Sequence, residues 1–214
     1  MNKFSKVVIA ALAFGGSIST ASAAGVITDI EASGAGLINP NDFSFAIDEG
    51  NRALNLTKIF GSQNQPTGSN LDPIVLTFTV EHSTGPANPY TVAEAVTNNT
   101  GQNWADFHYS IQEPDQGQGV VFTQHNSSTL SGFTLDPDPS SGPRNLNFTG
   151  NLADGGTANA SFMLSPFDPG QGNTTTFTVT QVPTIPEPET YAMLLAGLGL
   201  MGVMAKRRNN KQST

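Results

Sequence analysis

Few residues in this chain have the type and spacing that chemistry requires. Three histidines are present, His82, His108 and His125, and none has metal-ligand spacing such as HExxH. A hydrolase would need His108 or His125 beside a serine and an acid, yet the chain has no GxSxG elbow. The reading from these residues is therefore not an enzyme, with a cryptic secreted hydrolase as the distant alternative. Asp136 and Asp138, in Asp136-Pro137-Asp138-Pro139-Ser140-Ser141-Gly142, are the metal candidate. Two carboxylates two residues apart can offer oxygens to Ca²⁺, although the full DxDxDG pattern is missing. Glu113-Pro114-Asp115 has the same character. No other cofactor is expected. There is no cysteine, which removes disulfides, zinc-thiolate sites and thiol nucleophiles together. Trp104, Tyr90 or Tyr109, exposed on one sheet face or loop, would offer an aromatic platform for sugar; a carbohydrate- or calcium-binding module is thus the alternative to a non-catalytic interaction protein. Gly197 to Gly202 spells GxGxxG, but inside an apolar run at the chain's end, without the strand and distant acid a dinucleotide site needs.

The elements that would carry these residues are short alternating runs rich in Thr, Val and Phe, separated by Gly, Pro, Asn and Asp. Phe43, Phe45 and Ile47 share one face, and Leu54, Leu56 and Ile59 follow. Ile74, Leu76, Phe78 and Val80 make the clearest strand. Val92, Glu94 and Val96 lead through the turn Asn98-Asn99-Thr100-Gly101 to Phe107, Tyr109 and Ile111, with Asp106, His108 and Ser110 on the opposite face. Residues 96–108 resemble a hairpin common in secreted bacterial sandwich domains. With about eight to ten such strands and no crossover helices, the expected body is an all-β antiparallel β-sandwich, immunoglobulin-like by preference. The Thr-rich run 174–180 is expected as an edge strand open to pairing between chains. Six Asn-x-Ser/Thr sequons, at Asn55, Asn98, Asn126, Asn147, Asn159 and Asn173, are candidate glycosylation positions.

The two ends are different in kind. Residues 1–23 have the three parts of a secretory signal peptide: Lys3 and Lys6, an apolar stretch from Val7 to Gly15, and small residues at the end. Cleavage after Ala23 places Ala21 and Ala23 at the two critical small positions. The body is expected over 24–182. It carries fifteen acids against three basic residues, Arg52, Lys58 and Arg144, a balance of −12. Such a surface repels phosphate backbones, so nucleic acid is excluded as a partner.

Residues 183–214 hold a proline-rich linker, an apolar run from Tyr191 to Ala205 and a basic end at 206–211. The prolines stop helix from propagating upstream, and the Leu-, Ala- and Met-rich run predicts one transmembrane helix over about 190–205. Fifteen residues at about 1.5 Å each reach about 22 Å, short of the roughly 30 Å hydrocarbon core; Glu189 and Thr190 at one end and snorkelling Lys206 and Arg207 at the other can close part of that gap. Pro186-Glu187-Pro188, then the apolar run, then Lys206-Arg207-Arg208 closely resemble the PEP-CTERM sorting domain. That resemblance implies recognition by an exosortase-type membrane enzyme, processing near Pro186-Glu187-Pro188, and a host that makes exopolysaccharide. The partners expected are signal peptidase, an exosortase, the membrane before processing, and exopolysaccharide. The protein reads as an exported structural or interaction protein of the cell envelope, cell surface or extracellular matrix, anchored to a membrane transiently or permanently.

Overall fold

The computed structural model describes residues 24–61, 69–85, 88–113, 119–136, 143–186 and 193–201. Among the described residues twelve strands follow in order: β1 (Val26–Ser33), β2 (Phe43–Asp48), β3 (Ala53–Phe60), β4 (Ile74–Glu81), β5 (Tyr90–Asn98), β6 (Trp104–Gln112), β7 (Val121–Thr123), β8 (Thr129–Leu130), β9 (Phe133–Leu135), β10 (Asn145–Leu152), β11 (Thr157–Ser165) and β12 (Thr174–Thr184). They form two sheets. One runs β1-β4-β12-β6-β10-β9; the other runs β2-β3-β5-β11-β7, with β8 also paired to β11.

The alternation in the sequence explains how the sheets face each other. Ile74, Leu76, Phe78 and Val80 of β4 are all buried, as are Phe107, Tyr109 and Ile111 of β6. From the second sheet, Leu54, Leu56 and Phe60 of β3 and Tyr90, Val92 and Val96 of β5 point into the same core. The two inner faces meet through aromatic rings. Phe60 stands edge-on to Trp104 at 5.2 Å and to Phe107 at 5.7 Å. Tyr109 meets Phe162 of β11 at 5.3 Å. Edge-to-face geometry of this kind adds about 0.5–1.5 kcal/mol per pair beyond the area it buries.

Several expectations are corrected. The sandwich is mixed rather than purely antiparallel, because β3 and β5 pair in parallel, from Ala53 opposite Thr91 to Phe60 opposite Asn98. The crossover a parallel pair requires is supplied by β4, a strand of the opposite sheet, where a helix would be the usual connector. For a related reason the segment 96–108 is not a hairpin. Its first arm, β5, belongs to one sheet and its second, β6, to the other, so the chain arches across the core at Asn98. The Thr-rich strand β12 is internal, flanked by β4 and β6, and offers no edge. It also runs two residues beyond Val182, through Pro183 and Thr184, which the sequence reading assigned to the linker. Ile185 then donates its N–H to Ser69 O at 2.8 Å.

β1 is absent from the sequence reading. Ile27 and Ile30 both point inward although three residues apart, because a bulge between Ile27 and Asp29 inserts an extra residue into the pairing with β4. Near the C-terminus, residues 193–201 are helical, with Met193, Leu194, Leu195, Leu198, Leu200 and Met201 exposed. Among the described residues no helix is long and apolar enough to cross a membrane; the rest of the transmembrane helix expected over 190–205 lies outside them. The signal peptide at 1–23 lies outside them as well.

Candidate functional site

Of the sorting residues singled out in the sequence, Pro186 is described and exposed, just beyond the end of β12. Glu187, Pro188, Lys206, Arg207 and Arg208 lie outside the described residues, as do Ala21 and Ala23. Asp138 of the calcium candidate is outside them too. Asp136 is described at the end of β9, where its N–H donates to Asn147 O at 2.8 Å. Among the described residues no cluster of three or more His, Cys, Asp or Glu side chains could hold a metal. Glu113, the second acidic candidate, is committed elsewhere. One carboxylate oxygen accepts from Val120 N at 2.5 Å and the other from the Arg144 guanidinium at 2.7 Å.

The aromatic platform is overturned. Trp104, Tyr90 and Tyr109 are all buried. The Trp104 indole N–H donates to Thr100 Oγ1 at 3.2 Å, inside the arch between β5 and β6. Asn98 organises that arch: its amide NH₂ donates to Gln102 O and Leu152 O, and its oxygen accepts from the Thr100 N–H and hydroxyl. Fully buried and fully committed, Asn98 is no glycan acceptor. The histidines are dispersed. His108 contacts Asn147 Oδ1 at 3.0 Å, and His125 contacts Asn145 O at 2.7 Å. His82 pairs with Asp168 at 2.9 Å. Burial pushes the Asp168 carboxyl up, but the hydrogen bonds from His82, Gly170 N and Ser83 N outweigh it and hold the group below the usual carboxylate range.

The polar group that stands out lies in the centre of the sandwich. Lys58 of β3, Glu94 of β5, Tyr109 of β6 and Gln181 of β12 converge there, all 0–2 % exposed. Lys58 Nζ donates to Glu94 Oε1, and Gln181 Nε2 donates to that same oxygen at 3.1 Å. The other carboxylate oxygen, Oε2, accepts from the Tyr109 hydroxyl at 2.9 Å. The Lys58 ammonium also lies 5.9 Å from the centre of the Phe107 ring and 5.7 Å from that of Tyr109. Burial drives the Lys58 amine down to about 8, against the attraction of Glu94, which raises it. Burial, with the adjacent Glu94 charge, holds the Tyr109 hydroxyl well above its ordinary value. Gln181 Oε1 is buried and finds no hydrogen-bond partner among the described residues.

The sequence reading passed over this cluster, although a signal was available. Lys58 continues the inward alternation Leu54, Leu56, and Phe60 completes it, while Ile59 is only half-buried. Glu94 sits between Val92 and Val96 on a buried face in the same way. A charged residue in register with a buried face calls for a buried partner of opposite charge.

Comparison with known proteins bears on the tail. The PEP-CTERM protein-sorting motif matches residues 184–208. The chain carries a PEP-CTERM sorting motif. That motif marks it for export to the cell envelope or surface and for processing by exosortase. The PEP-CTERM match begins at Thr184, the last residue of β12, so sorting signal and sandwich abut without a spacer. No curated protein and no solved structure matches the chain.

Proposed function

We propose that this is a non-catalytic structural or interaction protein of the cell surface or exopolysaccharide matrix, a sandwich of immunoglobulin-like type delivered by its PEP-CTERM tail. The observation that carries the reading is the sorting motif at 184–208 placed directly after the closing strand of the body. Supporting it are a body balance of −12 and a core that takes up every tryptophan and tyrosine of the described strands. An acidic coat of this kind favours solubility and repels nucleic acid and anionic lipid. On this reading the apolar run at 191–205 spans a membrane only until exosortase acts, and the contacts of the mature body are with matrix polysaccharide or other matrix proteins.

Mass spectrometry of the protein recovered from cells, matrix and medium of its host tests the proposal. A form beginning at Ala24 or Gly25, ending near Pro186 and enriched in the matrix is expected. A full tail ending at Thr214 in the membrane fraction would make it a permanently tethered domain and overturn the matrix assignment.

A further inference from the structure

Lys58 is the only lysine between residues 7 and 205, and it is completely buried. An exposed lysine is easily accommodated, so a body that omits lysine from its surface and places one in its core uses it for something the surface cannot supply. Lys58 and two groups beside it have complementary chemistry. Lys58 Nζ is a nitrogen nucleophile once a proton is removed. Glu94 Oε1 accepts from that nitrogen and is the nearest proton acceptor. The Gln181 carboxamide donates to the same oxygen at 3.1 Å, so the amine and the amide nitrogen flank one carboxylate oxygen. Gln181 Oε1 finds no hydrogen-bond partner among the described residues, so turning the carboxamide toward Nζ breaks no hydrogen bond at that oxygen.

We propose that Lys58 and Gln181 become joined by an intramolecular amide bond, with Glu94 relaying the protons. The Lys58 ammonium passes one proton to Glu94, and the neutral amine attacks Cδ of Gln181. Glu94 returns that proton to Nε2, the Cδ–Nε2 bond breaks, and ammonia leaves. A second proton from Nζ goes to Glu94, which ends as the carboxylic acid. One C–N bond forms and one breaks, without change of oxidation state, so the step needs no oxidant or reductant. Tyr109 OH, donating to Glu94 Oε2 at 2.9 Å, is the positioning residue that orients the carboxyl.

The physical drive is the removal of charge from a dry interior. A buried ion pair bears the desolvation of both ions, and its exchange for a neutral amide and a neutral acid lifts that penalty. The lowered affinity of Lys58 for its proton, caused by burial, favours the reactive amine. The bond would tie β3 of one sheet to β12 of the other. It would supply, in an exported chain with no cysteine, the cross-link that disulfides provide elsewhere.

Peptide mapping of the full chain, denatured and digested, tests the proposal independently of its location. Trypsin cuts after Arg52 and after a free Lys58, releasing residues 53–58. That peptide is expected to be absent, and a second digestion is expected to yield a branched peptide joining Lys58 to Gln181, lighter than its two parts by one ammonia. Release of 53–58 in full yield from the wild-type chain would overturn the proposal. So would a branch from Lys58 to Glu94 with loss of water, since Gln181 would then not be the acceptor. In Glu94→Gln the 53–58 peptide is expected to reappear; a branch that persists there would remove Glu94 from the proton relay.

Discussion

Asp168 illustrates how a single side chain in this body gathers polar loose ends. It accepts from the His82 ring, from Ser83 N at 3.3 Å and from Gly170 N at 2.8 Å, closing the β4 end against the loop before β12. These bonds favour the carboxylate, so the folded group titrates below its ordinary 3.8. Its stabilising contribution is therefore complete above that pH and is lost as the pH falls through the lower folded value. Asp168→Asn is expected to cost about 1 kcal/mol near neutrality, a modest figure because the pair is partly open to screening. Urea unfolding at neutral pH and again in acid checks this. The wild-type advantage should shrink in acid, whereas an equal loss at both would trace the effect to packing. Neither the pair nor the Lys58–Glu94 cluster was legible from spacing: His82 and Asp168 are 86 residues apart, Lys58 and Glu94 36. Only the inward register of Lys58 and Glu94 was local information.

At the scale of elements, Arg52 clamps the start of β1. It takes the left-handed backbone conformation, φ 50°, at the turn between β2 and β3. From there its guanidinium donates to Gly25 O at 2.9 Å and to Ala24 O at 3.3 Å, its Nε–H donates to Asn88 O at 2.9 Å, and its centre lies 4.3 Å from the Tyr90 ring centre. The Tyr90 hydroxyl in turn accepts from Ile27 N at 3.0 Å. Arg52→Ala is expected to destabilise by about 2–3 kcal/mol, from the loss of charged hydrogen bonds and ring contact. The loss should be local first. Hydrogen exchange at Ile27 and its neighbours in β1 should accelerate well before that of β12, which lies inside the sheet. Uniform acceleration across both strands would mean that Arg52 supports the whole body and does not clamp one strand. The bulge that aligns Ile27 and Ile30 is also why β1 escaped the sequence reading: an inserted residue breaks the two-residue period on which strand recognition depends.

For the molecule as a whole, β12 is the closing piece. It enters last and pairs along its length with β4 and β6, so the first sheet is interrupted until the final strand of the body is in place. Its register brings Phe177 onto Phe78, with ring centres 4.7 Å apart, and delivers Gln181 to Glu94. A chain ending at Ile185 is expected to keep a cooperative thermal transition by far-ultraviolet circular dichroism. A chain ending at Thr180 loses Gln181 and the residues paired with Tyr109, His108, Phe107 and Asp106, and is expected to lose that transition. Equal stability of the two would place the last turn of the strand outside the cooperative unit. The position also bears on sorting, since the PEP-CTERM match starts where β12 stops, leaving Pro186 exposed to a processing enzyme while Thr184 is held in the sheet.

The sequence by itself determined what is local. Alternation of apolar and polar residues marked β4, β6 and most of the other strands and told which face each would bury, because a strand's side chains point to opposite sides whatever it pairs with. The tail's order of parts was likewise readable, being a linear signal. Tertiary structure alone decided which sheet each strand joins, and this is where the expectations at 96–108, at 174–180 and for β3 with β5 went astray. A turn such as Asn98-Asn99-Thr100-Gly101 reverses a chain equally well within one sheet or between two, and the choice depends on partners far away along the chain. The same choice assembles Lys58, Glu94, Tyr109 and Gln181 from four strands, two in each sheet, into one buried group.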